Sequence, residues 1–508
     1  MIELDGKSLT LPQVVQVARQ GEQVRLSEAG IAQVKKSRAI VDRILEEERP
    51  VYGISTGFGD FSKVFIQKED RAKLQRNLIL SHATGVGDPL PREVVRAAML
   101  LRANSLAKGY SGIRLETEEM LITMLNKGIT PIIPCKGSVG ASGDLAPLAH
   151  MVLVMLGEGE AEVDGRRMSG AEALAARGLE PIVLSGKEGL ALINGTQIMT
   201  AVGCMVWDRA VNLMKAADIA AALSLEALKG TRSAFDRRIT EVRPYPGQMA
   251  TTENVLALTE DSAIIASHKN CSKVQDAYSL RCVPQVHGAS KEALAQATRT
   301  LSVEINAVTD NPIIMPDTGE AISGGNFHGQ PIALVMDYLK LGIAELGNIS
   351  ERRTNRLLDM HLSDLPAFLT AFPGVDSGLM ITQYVAAALV SENKVLVHPA
   401  SADSIPTSAN QEDHVSMGTI AARQAGEILD NVTNVLAIEL MAAAQGVDFL
   451  APLTAGKGTA AVHACIRGII PHLDKDRFLS PEIHRMHDLI EDGRLVAAAE
   501  EVTGPLSV

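Results

Sequence analysis

Residues 137–150 read GSVGASGDLAPLAH, and within them Ala141, Ser142 and Gly143 are the residue types needed to make an electrophile from protein alone. Attack of the Gly143 backbone nitrogen on the Ala141 carbonyl carbon closes a five-membered ring. Loss of the Ser142 hydroxyl as water then leaves an exocyclic methylene on that ring. Glycine is required at 143 because its amide is unhindered and it tolerates the dihedrals of a tight loop. Serine supplies the leaving hydroxyl, and a small residue must precede it. The plain structural reading of the same stretch is a glycine-rich turn feeding a helix, with Asp144 as the cap that complements the helix dipole. Ala-Ser-Gly triplets are common, so the surroundings must decide.

Those surroundings hold further polar segments that simple packing does not need. Residues 51–60, VYGISTGFGD, carry three glycines and two hydroxyl residues around Tyr52, too much glycine for a helix or strand interior. SHATGVGDPL at 81–90 sets His82 between a helix end and a glycine- and proline-rich turn. Asn194-Gly195-Thr196 closes another loop, and ISGGNFHG at 322–329 presents Asn326, Phe327 and His328. In KVQDAYSLRCVP, residues 273–284, the three-residue spacing of Gln275, Tyr278 and Arg281 predicts one face of a helix ended by Pro284. SIPTSANQEDHVSMG, 404–418, runs Gln411, Glu412, Asp413 and His414 into a long helix, and reads structurally as a helix N-terminus with acids in its first turns.

The elements that must position these loops are helices. Hydrophobic residues make up 46% of the 508 but aromatics only 3%, so alanine, leucine and methionine supply the apolar volume, which favours helix over sheet. Helical patterns cover 28–48, 70–80, 92–107 and 145–156, with a hairpin at Asp164-Gly165. Longer ones cover 198–229, 286–308, 329–359 and 418–445; Ile332, Val335, Leu339, Ile343 and Leu346 make one stripe, and the set predicts a bundle. The alanine-rich faces of 418–445 are wide enough for a partner subunit as well. No repeat or linker interrupts the chain. The expected fold is mainly α, one compact unit with a loop-rich N-terminal part, 1–195, and a long-helix bundle, 196–508.

Charge and cysteine usage narrow the partners. A formal net charge of −12 argues against nucleic acid or an anionic membrane, either of which wants a basic face. Cys135, Cys204, Cys271, Cys282 and Cys465 are odd in number and form no CxxC pair, so they read as reduced, mostly buried thiols. The acidic start MIELDGKSLT has no apolar targeting core, the most apolar runs are broken by polar residues, and the histidines show no metal-ligand spacing. A cytoplasmic protein without a metal is expected.

Taken in order, 51–60, 81–89, 137–144, 193–197, 275–281, 323–329 and 408–417 match the loops of the aromatic amino acid ammonia-lyases nearly letter for letter. The chain resembles that family over essentially its full length, most specifically at GSVGASGDLAPLAH and SANQEDHVSMG. The resemblance implies that Ala141, Ser142 and Gly143 cyclise unaided to 4-methylidene-imidazol-5-one (MIO), with no dissociable cofactor. It implies a fumarase/aspartase-like helical architecture, although the GSSxMPxKxNP loop of the fumarase-type enzymes is absent. It also implies a homotetramer whose active sites each draw on three subunits.

By the same resemblance Tyr52 is the base. A phenol near pKa 10 is a poor base at neutral pH unless its anion is stabilised, as converging helix N-termini can do. Arg281 takes the substrate carboxylate as a guanidinium fork, assisted by Asn194. Gln275 and Tyr278 order the pocket, Phe327 walls it, and Gln411 lies on its substrate side. His82 and Glu412 meet the substrate ring, Glu412 also serving proton transfer. A donor and acceptor pair suits an imidazole, so the implied reaction is deamination of L-histidine to trans-urocanate and ammonia. A histidine at 82 also suits a phenol, which leaves a tyrosine ammonia-lyase or tyrosine 2,3-aminomutase as the alternative; a helical scaffold with a dead site is the reading outside enzymes. Ser55, Val283 and His287 depart from the letters expected of a histidine enzyme.

Replacing Ser142 by alanine is expected to abolish turnover while leaving the helical circular dichroism spectrum unchanged. An active Ser142→Ala protein would refute the ring hypothesis.

Overall fold

The computed structural model describes residues 1–57, 64–269 and 274–508. Residues 58–60 of the first polar loop, Lys273 and Cys271 lie outside them. The fold is mainly helical, with four small sheets of two or three strands among the described residues.

Sequence dictates most of the element ends. Helix α1 (Glu28–Glu46) starts where the Ser27 hydroxyl accepts a hydrogen bond from the Gly30 amide, and buries Val34, Val41 and Ile44 along one stripe. Helix α2 (Arg71–His82) ends on His82 and leads through a short connection into strand β1 (Val86–Pro89). Helix α3 (Arg92–Ala107) is buried along nearly all its length, which its alanine fill permits. Strand β2 (Pro134–Lys136) pairs antiparallel with β1, Val86 opposite Lys136 and Pro89 opposite Pro134. Helix α4 (Ala146–Met155) is apolar all round and buried almost throughout; Pro147 sits in its first turn, where no amide donor is required. The expected hairpin is present, Glu160–Val163 pairing with Arg166–Ser169.

The long helices follow. These are α5 (Gln197–Ala227), α6 (Val283–Glu304), α7 (Gln330–Leu358), α8 (Met380–Leu396) and α9 (Gly418–Asp448). All five residues of the predicted stripe on α7 are buried.

The chain forms two compact units that interleave along the sequence, where 1–195 and 196–508 were expected. The first comprises Met1–Val206, Thr298–Asp337 and Pro399–Arg423; the second comprises Trp207–Ala297, Tyr338–His398 and Gln424–Val508. The first holds all the small sheets and α1 to α4. In the second, Leu223, Leu346, Leu429 and Leu436 have no exposed surface, and Gly347 lies against Val432.

Four expectations need correction. The helix containing Tyr278 runs only over Tyr278–Arg281, so Gln275 lies outside it and the three residues share no helix face. Pro284 does not end a helix; it occupies the first turn of α6, a position that costs no hydrogen bond. Glu412 and Asp413 precede α9, which has no acid in its first turn. Of the four described cysteines only Cys204 is buried, and burial pushes its thiol far above the usual range; Cys135, Cys282 and Cys465 are half-buried.

The second unit is held by a buried ionic network. Asp218 accepts from His287 Nδ1 (2.7 Å), Lys291 Nζ (2.7 Å) and Asn254 Nδ2 (2.8 Å). Lys291 and Asn254 also donate to the Ser507 carbonyl, tying down the C-terminal residues. Burial alone would raise the Asp218 carboxyl, but Lys291 and His287 outweigh it and hold it well below the usual carboxylate range. His287, unexpected from the family pattern, is therefore a buried structural ligand of Asp218. Asp218→Ala leaves Lys291 buried without a counter-charge, and a loss of about 3–5 kcal/mol is expected, read as a fall in melting temperature.

Candidate active site

The first unit gathers several of the polar loops around Ser142. Strand β2 leads into residues 137–144 and β1 follows His82, so the β1–β2 ladder ties the two loops together. The tie is reinforced by the Gly85 amide, which donates to His150 Nε2 at 3.0 Å. That bond makes Nε2 an acceptor, so His150 is a neutral imidazole with its proton on Nδ1; burial pushes its pKa down in agreement.

The loop itself is bent as its glycines allow. Gly140 and Gly143 both have positive φ, +66° and +73°. A Cβ on Gly140 would lie 2.2 Å from Ser416 Oγ, and one on Gly143 would lie 2.0 Å from the Gly195 carbonyl oxygen. A side chain at Gly143 requires backbone movement, and one at Gly140 would displace the Ser416 hydroxyl at a φ that favours glycine. Gly143 bridges Gly195, and the next amide, Asp144 N, donates to the Gly195 carbonyl at 2.7 Å. From the other side Met417 N donates to the Val139 carbonyl (2.9 Å) and Ser416 Oγ to the Gly140 carbonyl (3.0 Å). A close, bent backbone at Ala141–Gly143 with an unsubstituted amide nitrogen at 143 fits the precursor of the MIO ring.

Asp144 does not cap the helix that follows it, which has no side-chain cap. Its carboxylate reaches the N-terminus of α5, accepting from Ile198 N (2.6 Å) and Met199 N, and it also accepts from Thr419 Oγ1 at 2.9 Å. Full burial raises its pKa to about 7 against these three opposing bonds.

Glu412 is brought to Ser142. Ser142 Oγ donates to Glu412 Oε1 at 2.8 Å, and Thr407 Oγ1 donates to Oε2 at 2.8 Å. Backbone bonds between Thr407 and Glu412 close the turn, which passes through Ser408, Ala409 and Asn410, all left-handed. Three successive non-glycine residues at positive φ store strain, and Thr407 with Glu412 contains it. His82 lies close enough to feel the Glu412 carboxylate. Burial pushes its imidazole below the usual range and outweighs the opposing pull of the Leu78 carbonyl and Glu412, so His82 is neutral at neutral pH. His328 stacks on His414 with ring centres 5.7 Å apart, joining the loop that carries half-buried Phe327 to the one that carries Glu412.

The remaining predicted residues divide between the units. Asn194 is buried, its amide nitrogen donating to Asp310 Oδ1 (3.3 Å) and to the Asn311 carbonyl (3.2 Å), while its Oδ1 has no hydrogen bond. Tyr52 is half-buried in the turn after α1; Ser55 closes that turn by accepting from Val51 N and donating to the Arg49 carbonyl, a structural use for another unexpected letter. Gln411 is exposed. In the second unit Gln275 and Tyr278 are exposed, the latter by 71%, and the Arg281 guanidinium lies 4.6 Å from the Tyr278 ring centre. Sequence reading missed Thr407 and Thr419, and missed the true partner of Asp144; the only signal was hydroxyl residues within otherwise apolar or acidic loops.

The family model for aromatic amino acid lyases matches residues 9–468. The chain belongs to the aromatic amino acid lyases. This lyase is 57% identical over 500 residues to the histidine ammonia-lyase of Alkaliphilus oremlandii, covering 98% of both chains. It is 56% identical over 504 residues to that of Gloeobacter violaceus, covering 99% of this chain and 98% of the relative. Among solved structures, the histidine ammonia-lyase of Trypanosoma cruzi superposes with a TM-score of 0.92 at 42% identity, over 99% of the lyase and 95% of that chain. Tyrosine aminomutase of Streptomyces globisporus superposes with a TM-score of 0.94 at 38% identity, over the full length of both.

Because the Asp144 carboxyl titrates near pH 3.8 when exposed and near 7 when folded, its contribution to stability is fully present below pH 3.8 and is lost as pH rises through 7. The lyase is therefore expected to lose ground against its Asp144→Asn variant between pH 4 and 8, measured as the difference in guanidinium unfolding midpoints of the two proteins at each pH.

Proposed function

We propose that this lyase removes ammonia from L-histidine without oxidation, giving trans-urocanate. The observation that carries the reading is the Ser142–Glu412 hydrogen bond, with His82 beside the same carboxylate. It sets a donor and acceptor pair for an imidazole next to the residue that becomes the electrophile. Relatives at 51–57% identity along nearly the whole chain, all histidine ammonia-lyases, support it.

The prosthetic group comes from the chain itself. The Gly143 nitrogen bonds to the Ala141 carbonyl carbon, whose oxygen leaves as water with the Gly143 and Ser142 amide hydrogens while a C=N bond forms to the Ser142 nitrogen; the Ser142 Cα hydrogen and hydroxyl leave as a second water. When formed, the ring supplies a methylene that accepts the substrate amine and turns it into a better leaving group.

The side chains do the rest. Arg281 holds the carboxylate bidentately, with Gln275, Tyr278 and Gln411 ordering the pocket and Phe327 walling it. Asn194 assists Arg281 with the carboxylate. Tyr52, as phenolate, takes the β-hydrogen, and a positioned base contributes on the order of 10²–10⁴ in rate. Glu412 assists proton transfer and, with His82, holds the imidazole. Helix N-termini stabilise the carbanion-like charge that develops.

The active form is a cytoplasmic homotetramer with sites shared between subunits. The exposure of Gln275 and Tyr278 supports this, since a pocket residue needs cover. So does the run of Ile381, Tyr384, Val385 and Val395 exposed on α8. No helix among the described residues is long and apolar enough to cross a membrane.

Phenylalanine offers nothing to pair with His82 and Glu412, and an unpartnered buried polar group costs roughly 1–3 kcal/mol. L-histidine, L-tyrosine and L-phenylalanine are to be supplied in turn to the purified protein, with product absorbance and free ammonia followed. Urocanate and ammonia are expected, with kcat/KM for histidine at least about tenfold above that for phenylalanine. Ammonia from tyrosine but not histidine overturns the substrate assignment, and a β-amino acid product identifies an aminomutase.

A further inference from the structure

Gly195 is confined from two sides. Gly143 presses on one, as described above. On the other, a Cβ at Gly195 would lie 2.4 Å from Gln197 Oε1, 2.6 Å from Thr309 Oγ1 and 2.8 Å from Arg102 Nη1. These three atoms belong to one buried assembly. Arg102 Nη1 donates to the Asn194 carbonyl (2.7 Å) and to Gln197 Oε1 (2.9 Å), and Gln197 Nε2 donates to Thr309 Oγ1 (2.8 Å).

Asp310 is the anchor of that assembly. Its Oδ2 accepts from Lys187 Nζ at 2.7 Å, both side chains having no exposed surface. Its Oδ1 accepts from Asn194 Nδ2 (3.3 Å) and from Asn311 N (2.6 Å). Burying a lysine and an aspartate together is rarely worth more to stability than an apolar pair of the same volume. A carboxylate does what an apolar group cannot: it fixes the rotation of the Asn194 amide, nitrogen toward Asp310, and with it the backbone that continues into Gly195.

We propose that Asp310, held by Lys187, is a positioning residue that acts through Asn194 and Gly195 to keep the Gly143 nitrogen against the Ala141 carbonyl carbon for ring closure. The inference rests on the proposed function, since it concerns how that function's electrophile is made. Asp310→Asn preserves volume but removes an acceptor, so an amide hydrogen then faces either Lys187 or Asn194.

The test is intact-protein mass, which reads the loss of two waters directly, measured beside kcat and KM for histidine. Wild type is expected to be fully dehydrated; a wild type that never loses the waters sinks the proposed function itself. Asp310→Asn is expected to show a folded protein with a several-fold smaller dehydrated fraction and kcat lowered in the same proportion, KM changing little. Acting through Asn194 predicts that Asp310→Asn adds almost nothing to Asn194→Ala in the double variant. Should Asp310→Asn fail to fold, the charge-neutral pair Lys187→Met with Asp310→Asn takes its place with the same expectation. Full dehydration with unchanged kcat overturns the proposal, as does a loss that simply adds to that of Asn194→Ala.

Discussion

Everything near the reactive loop depends on one close approach: two glycines, 143 and 195, meeting backbone to backbone. The space where a Gly143 Cβ would sit is occupied by the Gly195 carbonyl. Only residues without a Cβ permit so close an approach, and the bridge and the Asp144 amide bond fix it. The β1–β2 ladder, the bonds from Met417 and Ser416, and the buried assembly behind Gly195 hold it from three directions. The bend of the turn is thus set by long-range packing, and the small residues of the triplet permit it without causing it.

The electrostatics around the loop follow from burial. Asp144, Glu304 and Glu118 are buried carboxyls, and desolvation raises the pKa of each. Arg102 stands among Asp310, Glu118 and Asp144, with burial lowering its own pKa to about 10, so it remains charged at any physiological pH. Arg102 thus faces Glu118 and Asp144, two carboxyls whose pKa burial raises, while Lys187 pairs with Asp310. His82, by contrast, is kept uncharged, which suits a group that must exchange hydrogen bonds with a neutral ring.

How much of this could be read from the letters depends on distance along the chain. Local signals served well: the amphipathic run from 28 gave the start of α1, and alanine-filled periodicity gave 92–107 to the residue. Asp144 misled because its correct partners, Ile198, Met199 and Thr419, lie far off in sequence while a helix begins two residues away. Pro284 misled for a related reason, since proline ends one helix and opens another with equal ease. The polar loops were legible as a set through resemblance, and His82, Ser142 and Glu412 do converge. Lys187 and Asp310 gave no signal at all; a charged pair with no exposure carries no periodicity and can be recognised only once its burial is seen.

The capping role of Asp144 has one more consequence. Its carboxylate closes α5 only when the loop, the first turn of α5 and Thr419 of α9 are all in place, three segments scattered across more than half the chain. A nascent or misassembled chain lacks that clamp and so lacks the geometry that brings Gly143 onto Gly195. The local shape of the Ala141–Gly143 turn is therefore a property of the finished first unit and not of its own short stretch of sequence.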